Sequence, residues 1–463
     1  MEKVSENDPA HQNEDGDSTL KSSMSRKVAD CRVLPLLTVA FAVYQLDRTN
    51  IASALTGGFA ADIAVDQNTI NLGNQLMYIG VILLEIPSNL VLYKIGPRSW
   101  MSAQVFIFGL VACLQIFVRN KTGFLLTRAI LGLTEAGYIP GAMYALSTWY
   151  SSAELTSRIA VFFFGMFGGT AVSPLIGAGL LKLDGKGSLA GWQWIFLVEG
   201  IGSIMIAIAL FSLLPERGDL RSADSPGTST SDVEKNSFAK ESSVIPRNNS
   251  LPLSVVWRTL KNFQKWPHFM GTACVFSTWC PLTTYTPSII MDLGFNRIQA
   301  NALTAIGSLM TLPVVLAFAW LSDKTNRRGL AVMIAISAYL IALICLRLLE
   351  HHVGNWSKFG LWTTVNGLAV GYHPIHNAWI QMNCETAEER SISVAMFVMT
   401  ATSGLMAGTQ IFRSDEAAEL YPRGILIMII LVVSGLLFVA VQLFIYSISN
   451  KRRLEKGERP NIL

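Results

Sequence analysis

Residues 125–141 read Leu125-Leu-Thr-Arg128-Ala-Ile-Leu-Gly-Leu-Thr-Glu135-Ala-Gly-Tyr-Ile-Pro-Gly141. With its apolar flanks the stretch is long enough to cross a bilayer as a helix. Yet Arg128 and Glu135 sit inside the apolar run. A charged side chain at the bilayer centre costs about 2.5–3.5 kcal/mol on insertion scales. Seven residues of helix place the two charges on one face, roughly 10 Å apart. Such a face cannot meet lipid. It must look into protein or a watery cavity, so other helices have to surround it.

The rest of the chain supplies them. Of 463 residues, 51% are hydrophobic and 15% charged, with a mean hydropathy of +0.41. A soluble domain carries about 25% charged residues. Apolar stretches of about twenty residues recur about twelve times, predicting an all-α, polytopic membrane protein. Spans are expected near 33–55, 73–94, 99–118, 123–149, 156–181 and 192–214. A second set follows near 268–290, 298–320, 329–349, 357–380, 390–412 and 424–447. Residues 33–214 and 266–447 thus form two six-helix halves. Residues 1–32, polar and acidic before Lys27 and Arg32, read as a disordered tail with no secretory signal. Residues 215–265, rich in Ser, Pro and charge, read as a flexible linker, and 448–463 as a second tail. An even number of spans puts both termini and the linker on one side. That side holds most of the basic residues, so it is expected to be cytoplasmic. The sequons at Asn120 and Asn355 fall on the outer side, whereas that at Asn248 falls in the linker. Six scattered cysteines have no metal-ligand spacing and read as packing thiols. No metal, cofactor or nucleic-acid partner is expected, and the chain is expected to be a monomer. Gly165 and Gly169, like Gly137 and Gly141, are four apart and permit close helix approach. Pro140 and Pro174 predict bends.

Polar residues at span depth carry the chemistry. The first span contains Tyr44-Gln-Leu-Asp47-Arg48-Thr-Asn50. Asp47 and Arg48 are adjacent, about 100° apart on a helix, and cannot point the same way. With Arg128 and Glu135 they make two cations and two carboxylates in one half. One reading is a set of ion pairs that locks the first and fourth spans. Buried pairs are poor stabilisers against apolar alternatives, which favours a proton-linked anion site. A carboxylate away from water is the natural proton carrier, and an arginine holds a substrate carboxylate with two parallel hydrogen bonds. Protonation then releases the arginine from its internal partner, and loss of the proton expels the anion. In the second half, Asn366-Gly-Leu-Ala-Val-Gly-Tyr-His373-Pro-Ile-His376-Asn377-Ala-Trp379 places two histidines on one face. They are either hydrogen-bonded beside a helix break or in contact with substrate. A metal needs more ligands than this pair offers. Trp279, Thr283, Thr284 and Tyr285 of the seventh span are candidate cavity lining, or aromatics of the membrane interface.

Two short loops punctuate the halves: Glu85-Ile-Pro-Ser-Asn89 through Gly96-Pro-Arg98, and Ala319-Trp-Leu-Ser-Asp323-Lys-Thr-Asn-Arg327-Arg328. The second resembles the Gly-x-Leu-Ala-Asp-Arg turn of the major facilitator superfamily. In the first, Tyr93 and Lys94 replace the acidic pair. Further blocks are Leu46-Asp-Arg-Thr-Asn-Ile51, Glu135-Ala-Gly-Tyr-Ile-Pro-Gly141, Leu146-Ser-Thr-Trp-Tyr150, Gly191-Trp-Gln-Trp-Ile-Phe-Leu-Val-Glu-Gly200, Gln410-Ile-Phe-Arg-Ser-Asp415 and Tyr421-Pro-Arg-Gly424. As a set they resemble the anion:cation symporters, and within them the fungal allantoate-permease-like transporters. Asn383-Cys-Glu-Thr-Ala-Glu-Glu-Arg390 departs from the pattern of allantoate permeases.

The resemblance implies a transporter, not an enzyme, in a fungal plasma membrane with both termini cytoplasmic. It implies that Arg48 contacts the anion, that Asp47 and Glu135 take protons, and that Arg128 couples to Glu135. Tyr44, Trp279, Tyr285, His373, His376 and Asn377 complete the expected substrate site. Asp323, Arg327, Arg328 and Arg98 are expected at the gate. Proton-coupled uptake of a small organic anion is the leading reading. A drug or metabolite antiporter and a non-transporting nutrient receptor are the alternatives.

Overall fold

The computed structural model describes residues 29–150, 152–215, 253–455 and 460–462. The expected tail up to residue 28, the linker over 216–252 with its Asn248 sequon, and residues 456–459 and 463 lie outside the described residues. Everything described is helix or connecting turn, with no strand among the described residues.

Eight helices are individually long and apolar enough to cross a membrane. They are the first, second, third, fifth, sixth, eighth, ninth and twelfth of the expected spans. The eleventh, Ala387–Gly408, is apolar over the shorter run Ile392–Gly408. The remaining three are each broken in two. The fourth is Lys121–Glu135 and Tyr138–Trp149, the seventh Trp266–Ser277 and Trp279–Asp292, and the tenth Asn355–Leu368 and His373–Met382. The fourth and tenth hold the same place in the two halves, so the break is a repeated feature.

Local chemistry fixes several ends. Asp66, Asn120 and Asn296 each accept a backbone N–H at the start of the second, fourth and eighth spans, as N-cap side chains do. The break in the fourth span falls at Gly137, whose φ of 81° favours glycine and where a Cβ would collide with the Ser88 side chain. The Gly137 N–H donates to Glu85 Oε2 of the second span at 3.1 Å. Pro140 consequently lies in the first turn of the new helix, where it removes no helix hydrogen bond. Pro174 lies within the unbroken helix Ser152–Leu180.

Two boundaries differ from expectation. The linker ends in a short helix, Leu253–Leu260, because Leu253, Val256, Trp257 and Leu260 repeat at helical spacing. The last helix runs on to Glu455 instead of ending at 447. Beyond it, Asn450 and Asn383 each clamp one backbone unit of the chain end. Asn450 Nδ2 donates to the Asn461 carbonyl at 2.9 Å, and the Asn461 N–H donates to Asn450 Oδ1 at 2.6 Å. Asn383 does the same at Ile462, with 3.1 and 2.8 Å.

Within the first half, the first span packs on the fifth and sixth, and the second on the fourth. In the second half, the seventh packs on the eleventh and twelfth, and the eighth on the tenth. The halves meet where the fifth span touches the eighth, the first the seventh, and the second the eleventh. Gly165 and Gly169 let the fifth span approach the first: a Cβ added at Gly165 would lie 2.3 Å from the Thr38 carbonyl oxygen. Gly165→Ala is therefore expected to lower stability by about 1–3 kcal/mol, the usual cost of overpacking. Thermal unfolding in detergent measures it, and an unchanged Tm would show that the two spans can separate freely.

Candidate functional site

At the junction of the halves, midway along the spans, lies a cavity of about 880 Å³. The first, second, fourth, fifth, seventh, tenth and eleventh spans contribute to its wall. This is where substrate sites of repeat-built transporters form. Its one charged wall residue among those described is Arg48.

The Arg48 guanidinium lies between two phenol rings, 5.0 Å from the centroid of Tyr44 and 5.1 Å from that of Tyr78. Such stacking holds a cation without neutralising it. Arg48 Nε lies 3.2 Å from Glu135 Oε2, an ion pair not aligned as a hydrogen bond. Nε and Nη2 of Arg48 and both oxygens of Glu135 have no hydrogen-bond partner in the protein. Glu135 ends the first piece of the broken fourth span, so the break delivers its carboxylate to Arg48. Arg128 and Glu135 form no direct ion pair, though each lies within the other's electrostatic reach. Arg128 is fully buried and donates through Nη2 to Asn74 Oδ1, while Asn74 faces the cavity. Arg128 thus stands behind the wall.

Asp47 and Arg48 point apart, as their adjacency requires. Asp47 accepts at Oδ2 from Ser203 of the sixth span at 2.6 Å. Next to it are Glu199 and Asn50, both buried. This polar patch lies between the first and sixth spans and does not line the cavity. Glu199 was missed at the sequence level. Its signal was available, since it is a lone carboxylate in an otherwise apolar span.

In the second half, Trp279, Thr283, Thr284, His373 and Asn377 line the cavity. His376 does not. It belongs to a buried chain in which His376 Nε2 meets His268 Nδ1 at 2.9 Å, His268 Nε2 meets the Tyr446 hydroxyl at 3.0 Å, and His376 Nδ1 meets Thr272 at 3.1 Å. Tyr285 is also absent from the wall. Its hydroxyl donates to Asn71 Oδ1 of the second span, on the face of the protein away from the termini. Tyr44 reaches the cavity only through Arg48.

That far face is closed between the halves. Asn71 and Gln67 donate to the Phe412 carbonyl at 2.8 and 3.3 Å. Asn301 donates to Thr56 at 2.6 Å, Tyr421 to Gln67 at 3.2 Å, and Asn68 to Ser414 at 3.1 Å. Arg297 and Asp184 add one ion pair at 2.8 Å. The hydrogen bond from Arg297 holds the Asp184 carboxyl below its usual value. A contact of that sign is present at neutral pH and lost only as pH falls through the lowered value.

On the face that carries the termini, Lys265 pairs with Glu389 at 2.8 Å and Arg453 with Glu385 at 2.7 Å, both within the second half. Arg328 pairs with Asp323 at 2.9 Å and reaches Ser322, Arg327 precedes that helix, and Arg98 donates to the Phe211 carbonyl at 2.6 Å. The protein is therefore shut on the face away from the termini.

Removing the far-face contacts has a predicted effect. Asn71→Ala deletes a donor to Phe412 and an acceptor for Tyr285. Two net hydrogen bonds shift the open-to-closed balance by about tenfold or more. Labelling of a cysteine placed at Ser53, from the side away from the termini, is expected to accelerate by that factor. An unchanged rate would remove Asn71 from the closure.

A sequence profile of the major facilitator superfamily matches residues 37–410. The chain belongs to this superfamily. It is a multi-pass membrane transporter of the major facilitator fold, and not an enzyme. It is similar to an uncharacterized transporter of Saccharomyces cerevisiae, 27% identical over 85% of this chain and 74% of the relative. A protein of Agrobacterium vitis named "putative tartrate transporter" is 28% identical over 75% of this chain and 81% of its own. Among solved structures, a D-xylose-proton symporter superposes with a TM-score of 0.66 at 12% identity, covering 89% of this chain and 96% of the symporter. A bacterial homologue of the human lysosomal transporter Spinster, inward-facing and occupied, gives 0.64 at 16% identity over 89% and 96%. At these identities the two structures speak for the fold alone.

Proposed function

We propose that this major facilitator protein is a proton-coupled symporter that takes up a small organic anion by alternating access. The observation that carries the reading is the Arg48–Glu135 pair at the cavity: a stacked cation with unused N–H groups, whose carboxylate partner can be discharged by a proton. With Glu135 protonated, Arg48 is free to hold a substrate carboxylate. With Glu135 ionised, the carboxylate competes for Arg48 and the anion leaves. A monoanion entering with two protons would move one net positive charge, driven by about 2.3 kcal/mol per 100 mV. Asp47, beside Glu199 and apart from Arg48, is the second proton carrier of this reading. The Agrobacterium relative, named for a dicarboxylic acid, supports an anionic substrate.

The face that carries the termini is read as the cytoplasmic one, and the chain as lying in the plasma membrane. Asp323, Arg328, Arg327 and Arg98 lie on that face and are read as latch residues of the opposite state, in which the halves meet there.

Purified protein in liposomes tests the function. Accumulation of a labelled anion under an imposed inward proton gradient supports symport. Acceleration only by an outward gradient of substrate would favour the antiporter, and binding without flux the receptor.

A further inference from the structure

The loop that joins the eleventh and twelfth spans, residues 412–421, takes part in the far-face closure, and its backbone is strained. Leu420 and Tyr421 are consecutive, neither is glycine, and their φ angles are 60° and 62°. In this left-handed region Cβ crowds the following carbonyl oxygen. Leu420 ends the tight turn Ser414–Glu419, at the position where glycine usually stands. Its N–H donates to the Ala417 carbonyl at 3.3 Å, and that of Tyr421 to the Glu416 carbonyl at 3.1 Å. Pro422 follows and disfavours the right-handed helical region for Tyr421, so the relaxed alternative there is extended backbone.

Contacts from both halves hold the two residues in place. Within the second half, the buried Glu416 carboxylate accepts the N–H groups of Arg423 and Gly424 at 2.7 and 3.2 Å. The Tyr421 ring stacks on Phe412, with centroids 4.3 Å apart and planes 5° from parallel. From the first half, one side chain clasps both ends of the loop. Gln67 donates to the Phe412 carbonyl at 3.3 Å and accepts from the Tyr421 hydroxyl at 3.2 Å. Asn71 donates to the same carbonyl at 2.8 Å, and Asn68 reaches Ser414 at 3.1 Å. A ring that helps to seal this face therefore belongs to a strained residue, and that residue is fastened across the boundary between the halves.

We infer that the 412–421 loop is a spring, compressed while the far face is closed. Parting of the halves frees Phe412 and Tyr421 from Gln67, and Leu420 and Tyr421 then relax out of the left-handed region. Extended backbone at Tyr421 carries its ring away from Phe412, so the loop itself drives part of the opening. Its strain offsets some of the hydrogen bonding between the halves and keeps the closed state from becoming a trap. The inference is independent of the substrate and of the coupling ion.

Substitution at Leu420 tests this, because one Cβ sets the strain. Labelling of a cysteine placed at Ser53, from the side away from the termini, reads the open population. Thermal unfolding of the full-length protein in detergent reads stability. Leu420→Ala removes the side-chain contacts but keeps Cβ, and Leu420→Gly removes Cβ as well. Glycine is expected to slow labelling about five- to thirtyfold relative to alanine, the worth of one left-handed residue. Leu420→Asn, which tolerates the left-handed region, should slow it in the same direction and serves if the glycine variant does not fold. Gln67→Ala should accelerate labelling about fivefold or more by opening the clasp.

Equal labelling of the alanine and glycine variants overturns the spring. A higher Tm for glycine alongside that equality would show the strain to be present in both states. Faster labelling of the glycine variant overturns it as well, since the closed state would then gain nothing from losing the Cβ. An unchanged rate in Gln67→Ala removes the clasp, and the inference with it.

Discussion

Glu135→Gln is expected to abolish accumulation driven by a proton gradient while leaving substrate exchange in place. The amide is neutral at every pH, so Arg48 is permanently released from its partner and binds anion in both orientations of the protein. The coupling disappears because nothing draws the arginine back when the proton should leave. In liposomes the ratio of internal to external substrate should fall to one under an imposed gradient, and counterflow should continue near its original rate. Loss of both activities together, in a variant with unaltered thermal stability, would show that Glu135 holds the site together and does not couple it. The geometry favours coupling, because Glu135 meets Arg48 at 3.2 Å without an aligned hydrogen bond. A purely structural pair would be expected to align its hydrogen bonds.

Arg48→Lys has the second large effect. Lysine keeps the charge but not the planar fork, and it cannot lie flat between the rings of Tyr44 and Tyr78. Loss of a charge-assisted, two-point contact costs roughly 2–3 kcal/mol, or about 30- to 150-fold in affinity. Titration with the anion and the Michaelis constant for uptake should both move by that amount. Unaltered affinity would take Arg48 out of the substrate site.

Much of this architecture was legible from the sequence, and the failures have identifiable causes. The twelve expected spans follow from apolar length alone. The charged stretch around Arg128 and Glu135 rightly required a protein interior, but which charges meet depends on rotations that a helix pattern does not fix. Arg48 is the partner of Glu135, and Arg128 is withdrawn behind Asn74. Helical geometry alone could have sorted the second-half residues. Trp279 and Thr283 are four apart and share a face, whereas Tyr285 is a further 200° round and lands on the far-face closure. His373 and Asn377 are 40° apart, while His376 is 100° from Asn377, so the edge of the cavity passes between neighbours. The break at Gly137 was not legible, because it depends on Glu85 from another helix. Glu199 was overlooked as a lone carboxylate in an otherwise apolar span, and His268 because it stands in the first turn of its helix, just after the charged end of the linker.

The closure between the halves on the far face is made from amides, hydroxyls and backbone carbonyls, with Asp184 and Arg297 as the one ion pair among the described contacts. Parting these groups displaces no net charge through the bilayer. That step should therefore be electrically silent, proceeding at the same rate in polarised and short-circuited vesicles. Any transient current in the cycle must then come from the movement of Arg48, Glu135 and their cargo.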